Sequence, residues 1–193
     1  MKRTSILWLG LLTLTLFPLL AWLIMFFFDT ADVNTLFITR SSYMLEVLVG
    51  LLYGLISSFL AWRLIGHPYM TEIKTHYGGI IASIKMKPID IVFVSFCAGF
   101  GEEILFRGAI QPAWGIWITS IVFVALHGYL TPTNLKVSIY GFYLLLVIAG
   151  IGFMNDCFGL TACIVAHTVI DIYLFAKLSF KKKQRVLIGD EEA

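Results

Sequence analysis

Charged residues are scarce in this chain of 193 residues. Asp, Glu, Lys and Arg together fill 13% of the positions, whereas soluble globular domains have about 25%. Hydrophobic residues fill 59%, and the mean hydropathy is +0.89. This composition excludes an ordinary soluble domain. The formal net charge is only +2, and the basic residues are spread along the chain, so nucleic-acid binding is also disfavoured.

Cysteine is rare too, and the motifs that would give it a metal or redox role are absent. No pair among Cys97, Cys157 and Cys163 has Cys-x-x-Cys spacing, so we expect no disulfide framework and no cysteine metal site. We predict that all three are small packing residues. The His-Glu-x-x-His motif of many zinc proteases is also absent.

Long apolar runs separated by short polar joints predict an all-α fold. The runs cover residues of about 5–28, 43–65, 89–110, 114–130, 136–155 and 159–178. Most reach the roughly 20 residues that a helix needs to cross a 30 Å hydrocarbon core. The first run is too long for a signal-peptide core and has no Ala-x-Ala cleavage site. We therefore expect a polytopic transmembrane bundle of about six helices, the first of them uncleaved.

The distribution of basic residues predicts the orientation of this bundle. With six crossings, nearly all of them fall on one membrane face: Lys2, Arg3, Arg63, Lys74, Lys85, Lys87, Lys136, Lys177, Lys181, Lys182, Lys183 and Arg185. Arg40 alone falls in a loop on the opposite face. Because cytoplasmic loops are enriched in Lys and Arg, we predict that both termini lie in the cytoplasm.

The longest polar joint, residues 66–88, contains His67 and His76. Neither histidine has a second ligand at short spacing. We predict a solvated or interfacial loop without a binding role, since surface histidines are common.

A stripe of small residues marks one face of the second run. Gly50, Gly54 and Ser58 recur at every fourth position, which lets another helix approach closely. Packing within the bundle is the preferred interpretation, and a homo-oligomer contact is the alternative. Glu46, near the outer end of the same run, is predicted to reach the membrane interface and to lie outside any site.

Three ionisable side chains lie close together in the second half of the third run: Glu102, Glu103 and Arg107. Each such group costs about 2.5–3.5 kcal/mol at the bilayer centre on insertion scales, so intramembrane charges usually mark a functional site. Glu103 and Arg107 are four residues apart and share a helix face, which predicts an ion pair. Glu102 points about 100° away and is free to face another element.

Two histidines and an aspartate lie in later apolar runs. Proline and glycine within residues 112–115 predict a turn that folds the third and fourth runs into an antiparallel hairpin. Counted from residue 112, Glu102 and His127 differ in position by about five residues, or about 7–8 Å along a helix. His167 and Asp171 are four residues apart on the sixth run and share a face, at a depth similar to that of Glu102.

Together these residues form three motifs: Glu102-Glu103-x-x-x-Arg107, Phe123-x-x-x-His127 and His167-x-x-x-Asp171. In this order they resemble the signature motifs of the CAAX protease and bacteriocin-processing family (CPBP or Abi), intramembrane endopeptidases that include the type II CAAX prenyl proteases. The resemblance covers roughly residues 88–178, the expected catalytic membrane core. Residues 1–87 would then be two N-terminal transmembrane helices with a cytoplasmic loop, and residues 179–193 a cytoplasmic tail of basic and acidic residues.

The resemblance implies a role for each position. Glu102 would be the general base that takes a proton from a water molecule held by His127. His167, with the residue one turn after it, would polarise the scissile carbonyl and stabilise the oxyanion. Glu103 and Arg107 would brace the site.

Position 171 departs from the family pattern, which often has Asn there. A carboxylate donates a hydrogen bond only when protonated, so the alternative is that Asp171 orients His167. A metal is a second open question, because Glu102, His127 and His167 could supply three ligands to a catalytic zinc. A glutamate-activated water needs no metal, and we favour metal-independent chemistry without a cofactor.

The resulting prediction is a membrane-embedded endopeptidase that acts on a protein or peptide at the lipid bilayer, in a bacterial plasma membrane. One alternative is a non-catalytic protein on the same scaffold, with a bacteriocin-immunity or partner-binding role. The other is a proton or cation carrier, since intramembrane Glu, His and Asp also build relays. The chain has no visible internal repeat, which disfavours the carrier.

Overall fold

The computed structural model describes the backbone of residues 2–189, with the side chains of residues 2–75 and 77–179. This part of the chain contains helices and connections and no strand, so the predicted all-α fold is confirmed. The helices are α1 (Arg3–Phe28), α2 (Tyr43–Ile65), α3 (Thr71–Ser83), α4 (Pro88–Glu103), α5 (Gln111–Leu126), α6 (Leu135–Cys157) and α7 (Leu160–Gly189). A π-helical segment, Ile104–Ile110, joins α4 to α5.

Five helical stretches of the described residues are long and apolar enough to cross a bilayer. They are Arg3–Phe28, Tyr43–Ile65, Pro88–Leu126, Leu135–Cys157 and Leu160–Ser179. Many large apolar side chains on α1, α2 and α5 point outward, as lipid-facing surfaces require. The chain is therefore an integral membrane protein. The third stretch, at 39 residues, is long enough to cross twice.

A sharp bend at Gly115 folds this third stretch into the predicted hairpin. Gly115 has φ 72° and ψ 171°, a region that is essentially restricted to glycine. On the two sides of the bend, the rings of Phe106 and Phe123 are 4.8 Å apart, and Glu102 lies 3.5 Å from His127. Both pairs are centred on Gly115, so the prediction that counted positions from residue 112 was wrong. Counted from Gly115, Glu102 and His127 lie at nearly the same level, and the expected offset of about 7–8 Å between them disappears.

One end of the bundle holds the start of α1, the start of α4 and the C-terminal half of α7. Arg3 bonds Asp90 at 2.5 Å, while Ile6 and Phe175 pack against the apolar cluster that contains Ile91. Helices α1 and α4 are thus parallel to each other and antiparallel to α7. This arrangement agrees with an even number of membrane crossings.

The small-residue face of α2 packs against α7 within the bundle, as preferred. A Cβ atom on Gly50 would lie 2.5 Å from the carbonyl oxygen of Ala162, and one on Gly54 would lie 2.8 Å from that of Ala166. Ser58 is fully buried. The stripe therefore serves to bring α7, which carries His167, close to α2.

The joint over residues 66–88 is not the predicted loop, because most of it is helix α3. Ile73 on this helix is buried, and Gly78 lies against Leu178 of α7. The Glu72 carboxylate meets the Lys136 ammonium at 2.7 Å, which ties α3 to the start of α6. The joint therefore covers one end of the bundle.

Two smaller expectations are corrected. Glu46 does not reach the membrane interface: it is 1% exposed and lies against Gly159 at the start of α7. Cys97 and Cys163 are buried as predicted, but Cys157 is exposed at the end of α6.

Helix α7 continues to Gly189, past the end predicted at residue 178. The first part of the predicted tail, residues 179–193, is therefore helical. The last residues of this predicted tail, 190–193, lie outside the described residues.

Candidate active site

A cavity of about 330 Å³ opens inside the bundle, and the predicted site residues form part of its wall. Glu102, His127, His167 and Asp171 all line it. They come from α4, the end of α5 and α7, while α1, α3 and α6 supply mainly apolar side chains. The three motifs, far apart in sequence, thus meet at one cavity.

Glu102 and His127 face each other across the hairpin. Glu102 Oε2 lies 3.5 Å from His127 Nε2, and their side chains are 13% and 38% exposed. His127 Nδ1 lies 2.8 Å from the carbonyl oxygen of Phe123. Because a carbonyl only accepts, Nδ1 must carry the proton, and a neutral His127 presents an unprotonated Nε2 to Glu102. With Glu102 ionised and His127 neutral, two acceptors face each other at the cavity wall.

Glu103 points the other way, into a fully buried network. Its Oε2 lies 3.0 Å from Arg107 Nε, which confirms the predicted ion pair. Its Oε1 accepts from His167 Nδ1 at 2.7 Å. Arg107 also donates to the carbonyl oxygen of Ile148 on α6 at 3.1 Å. Glu103 thus links α4 and α7, and Arg107 links this pair to α6.

Arg107 lies within the π-helical segment that follows Glu103. Six of its seven residues are buried, from Ile104 to Ala109. Such segments are rare in helices and occur often at functional sites. Here the segment carries a guanidinium in the bundle interior, next to the hairpin bend.

Asp171 does not orient His167 through a hydrogen bond. Its Oδ2 lies 3.8 Å from His167 Nε2, beyond the 2.7–3.2 Å typical of an N–H···O bond. Glu103, on the other ring nitrogen, orients the imidazole instead. Nε2 of His167 and the Asp171 carboxylate are therefore both directed to the cavity.

Phe123 has a central place that the sequence did not reveal. Its ring stacks on His127 with centroids 4.4 Å apart, and it meets His167 edge-on at 5.8 Å. The Arg107 guanidinium lies 5.8 Å from the same ring. The four-residue spacing from Phe123 to His127 predicts their contact. The contacts of Phe123 with His167 and Arg107 depend on tertiary packing.

Three tyrosines, Tyr77, Tyr129 and Tyr140, line the cavity as well. Tyr129 lies in the loop after α5, and its ring packs at 6.1 Å from Tyr77 and 5.4 Å from Tyr140. Burial, and then the charge of Asp171, raise the pKa of Tyr129 to about 12. Its phenol therefore keeps its proton at neutral pH.

The described side chains do not assemble a metal site. No three of their His, Cys, Asp and Glu groups are placed to hold one ion. Glu102, His127 and His167, the predicted zinc ligands, do share the cavity, but His167 already uses Nδ1 to bind Glu103.

Comparison with known proteins finds one matching family model and one similar protein. Residues 84–173 match the model of a family described as type II CAAX prenyl endopeptidase Rce1-like, which confirms the family resemblance of the three motifs. The chain is 33% identical over 112 residues to the uncharacterized protein YpbD of Bacillus subtilis (strain 168). That match spans 56% of this chain and 57% of the relative, a little over half of each. No solved structure matches significantly.

Proposed function

Since residues 84–173 match the Rce1-like family of type II CAAX prenyl endopeptidases, we propose that the chain is an intramembrane endopeptidase that uses a glutamate-activated water. The observation that carries this proposal is the pair of acceptors, Glu102 Oε2 and His127 Nε2, held 3.5 Å apart at the cavity wall. A water molecule beside them has two protons to donate, one to each acceptor.

The proposed reaction uses these two acceptors. The oxygen of the held water attacks the carbonyl carbon of the scissile peptide while one proton passes to Glu102, acting as general base. The tetrahedral intermediate then collapses, the C–N bond breaks, and Glu102 returns the proton to the leaving amine. His127 holds the water, and its ring is fixed by Phe123 on one face and by the Phe123 carbonyl at Nδ1.

The buried network keeps His167 in place for the same step. Glu103 fixes the ring through Nδ1, and Arg107 holds Glu103. His167 Nε2 is then directed to the cavity, where a protonated ring would donate to the oxyanion. Such donors are most effective where water is scarce, as it is inside a membrane bundle.

Metal-independent chemistry is part of the proposal. Treatment with a strong chelator is expected to leave the cleavage rate unchanged. Loss of cleavage that added zinc restores would contradict this part and favour Glu102, His127 and His167 as ligands.

The decisive experiment compares the termini of membrane proteins by mass spectrometry in native cells. The strains carry the wild type, Glu102→Gln or, as a matched control, Glu72→Gln, which changes an exposed carboxylate on α3. We expect cleavage ends that disappear only with Glu102→Gln, and these ends would also identify the substrate. Identical termini in all strains at equal expression would contradict the proposal and favour a non-catalytic, partner-binding role.

The proposed location is a bacterial plasma membrane with both termini in the cytoplasm. The basic residues at the start of α1 and around α3 support this orientation, because positive side chains are retained on the cytoplasmic face. The peptide substrate then reaches the cavity from within or beside the bilayer.

A further inference from the structure

Tyr129 is held at the edge of the candidate site by its backbone. Gly128, with φ 75°, turns the chain after α5, and the Tyr129 N–H donates to the carbonyl oxygen of Val124 at 3.2 Å. Its own carbonyl oxygen lies so close to Gly141 of α6 that a Cβ atom there would collide with it. The residue is therefore fixed two positions after His127.

The side chain of Tyr129 borders the cavity of the candidate site. It lines the same cavity as Glu102, His167 and Asp171, with its ring between Tyr77 and Tyr140. Within the described part of the chain, its hydroxyl forms no hydrogen bond. Tyr129 is therefore a cavity-lining residue of fixed backbone position whose phenol has a proton available to donate.

The chemistry of the cavity wall requires such a donor. Attack on a peptide carbonyl creates an oxyanion, which needs hydrogen-bond donors. The Nδ1 proton of His167 is already committed to Glu103, and its Nε2 donates only from a protonated ring. The Asp171 and Glu102 carboxylates are acceptors when ionised. The site thus has several acceptors and few donors where negative charge develops.

We propose that the Tyr129 hydroxyl is a further catalytic group, which donates a hydrogen bond to the oxyanion of the scissile peptide. This inference rests on the proposed endopeptidase function and supplies the donor that a carboxylate at position 171 does not. The pKa of Tyr129, raised to about 12 by burial and by Asp171, supports it because the phenol stays protonated while Glu102 acts as a base.

The experiment uses the full-length protein in lipid nanodiscs and a synthetic peptide spanning the cleavage site that the terminus comparison identifies. Tyr129→Phe keeps the ring and its packing and removes only the hydroxyl. Tyr143→Phe is the matched control, since Tyr143 belongs to the same group of aromatic side chains but donates to the Ser57 carbonyl oxygen at 2.6 Å, outside the cavity wall.

We expect Tyr129→Phe to lower kcat by about 10- to 100-fold, somewhat less than the loss of an oxyanion donor in a soluble protease. KM should stay within about two- to three-fold of the wild type, because the hydroxyl acts in the transition state and not in ground-state binding. Tyr143→Phe should leave kcat unchanged.

A kcat of Tyr129→Phe within about two-fold of the wild type, alongside an inactive Glu102→Gln, would overturn this inference and leave the proposed function intact. A wild-type protein with no Glu102-dependent cleavage would overturn both. If Tyr129→Phe fails to fold, the same kcat measurement is made with 3-fluorotyrosine at position 129. Fluorine changes the acidity of the hydroxyl and keeps the ring. A changed kcat then supports the proposal, and an unchanged kcat contradicts it.

Discussion

Replacing Glu103 with glutamine should remove one charge from a fully buried ion pair. Glu103 and Arg107 are both 0% exposed at their side chains and lie 3.0 Å apart. Glutamine has nearly the same shape and keeps an oxygen to accept the Nδ1 proton of His167. The substitution therefore tests the charge alone, without creating a cavity.

The expected loss of stability follows from the environment of Arg107. Once Glu103 is neutral, the guanidinium retains its bond to the Ile148 carbonyl at 3.1 Å but has no carboxylate partner. Removing one partner of a buried ion pair lowers the free energy of unfolding by about 3–5 kcal/mol, because the remaining charge is left uncompensated. For a chain of this size, that loss lowers the midpoint of thermal unfolding by about 6–20 °C.

Thermal unfolding of the purified protein in nanodiscs, followed by tryptophan fluorescence, measures this loss. The double variant Glu103→Gln with Arg107→Met serves as control, because methionine removes the orphaned charge and fills similar space. We expect the double variant to recover most of the unfolding temperature. Its cleavage rate should stay low, since a neutral amide holds the His167 ring less firmly than a carboxylate does.

Two results would refute this reasoning. A midpoint within about 2 °C of the wild type for Glu103→Gln would mean that water reaches the pair and screens it. A double variant less stable than the single one would mean that Arg107 stabilises the bundle through contacts other than its ion pair.

Three further outcomes are expected. Gly54→Ala should destabilise the protein by about 1–3 kcal/mol through overpacking against α7, whereas Gly79→Ala, with open space around it, should be neutral or slightly stabilising in the same unfolding assay. Gly115→Ala should cost about 1–3 kcal/mol from backbone strain alone, and equal stability would contradict the bend. A membrane-impermeant maleimide should label Cys157 in intact cells if both termini are cytoplasmic, and labelling only after permeabilisation would reverse the orientation.

The sequence was sufficient to place the apolar helices, although the third and fourth predicted runs form one helical stretch with a bend at Gly115. Hydropathy and length predicted the second run as residues 43–65, and the helix spans Tyr43–Ile65. The hairpin was also predictable, because glycine and proline interrupt an apolar stretch too long for one crossing. The centre of the bend was not, since only the backbone angles single out Gly115 from the neighbouring Pro112.

Helix α3 could not be predicted, because its sequence contains little that favours a helix by itself. Gly78 and Gly79 are adjacent within it, and each glycine disfavours a helix interior by about 0.5–1 kcal/mol. Its stability comes from packing on α7 and from the Glu72–Lys136 ion pair. Both are tertiary contacts without a signal in the local pattern.

Within the site, contacts along one helix were predictable and contacts between helices were not. The spacing of Glu103 and Arg107 gave their ion pair, but the partner of His167 could not be inferred. Asp171, four residues away on the same helix, was the expected alternative, whereas Glu103 on α4 is the partner found. Glu103 can reach His167 because α4 and α7 approach closely at Gly99, where a Cβ atom would collide with the Thr168 hydroxyl.

The two N-terminal helices lie outside residues 84–173, yet the candidate site depends on them. A Cβ atom on Gly101, directly before Glu102, would collide with the Thr13 carbonyl oxygen of α1, so α1 fixes the depth at which Glu102 faces the cavity. Gly50 and Gly54 let α2 lie against the part of α7 that carries His167. A substitution that enlarges Gly101 should therefore displace Glu102 and reduce cleavage, although it changes none of the reacting groups.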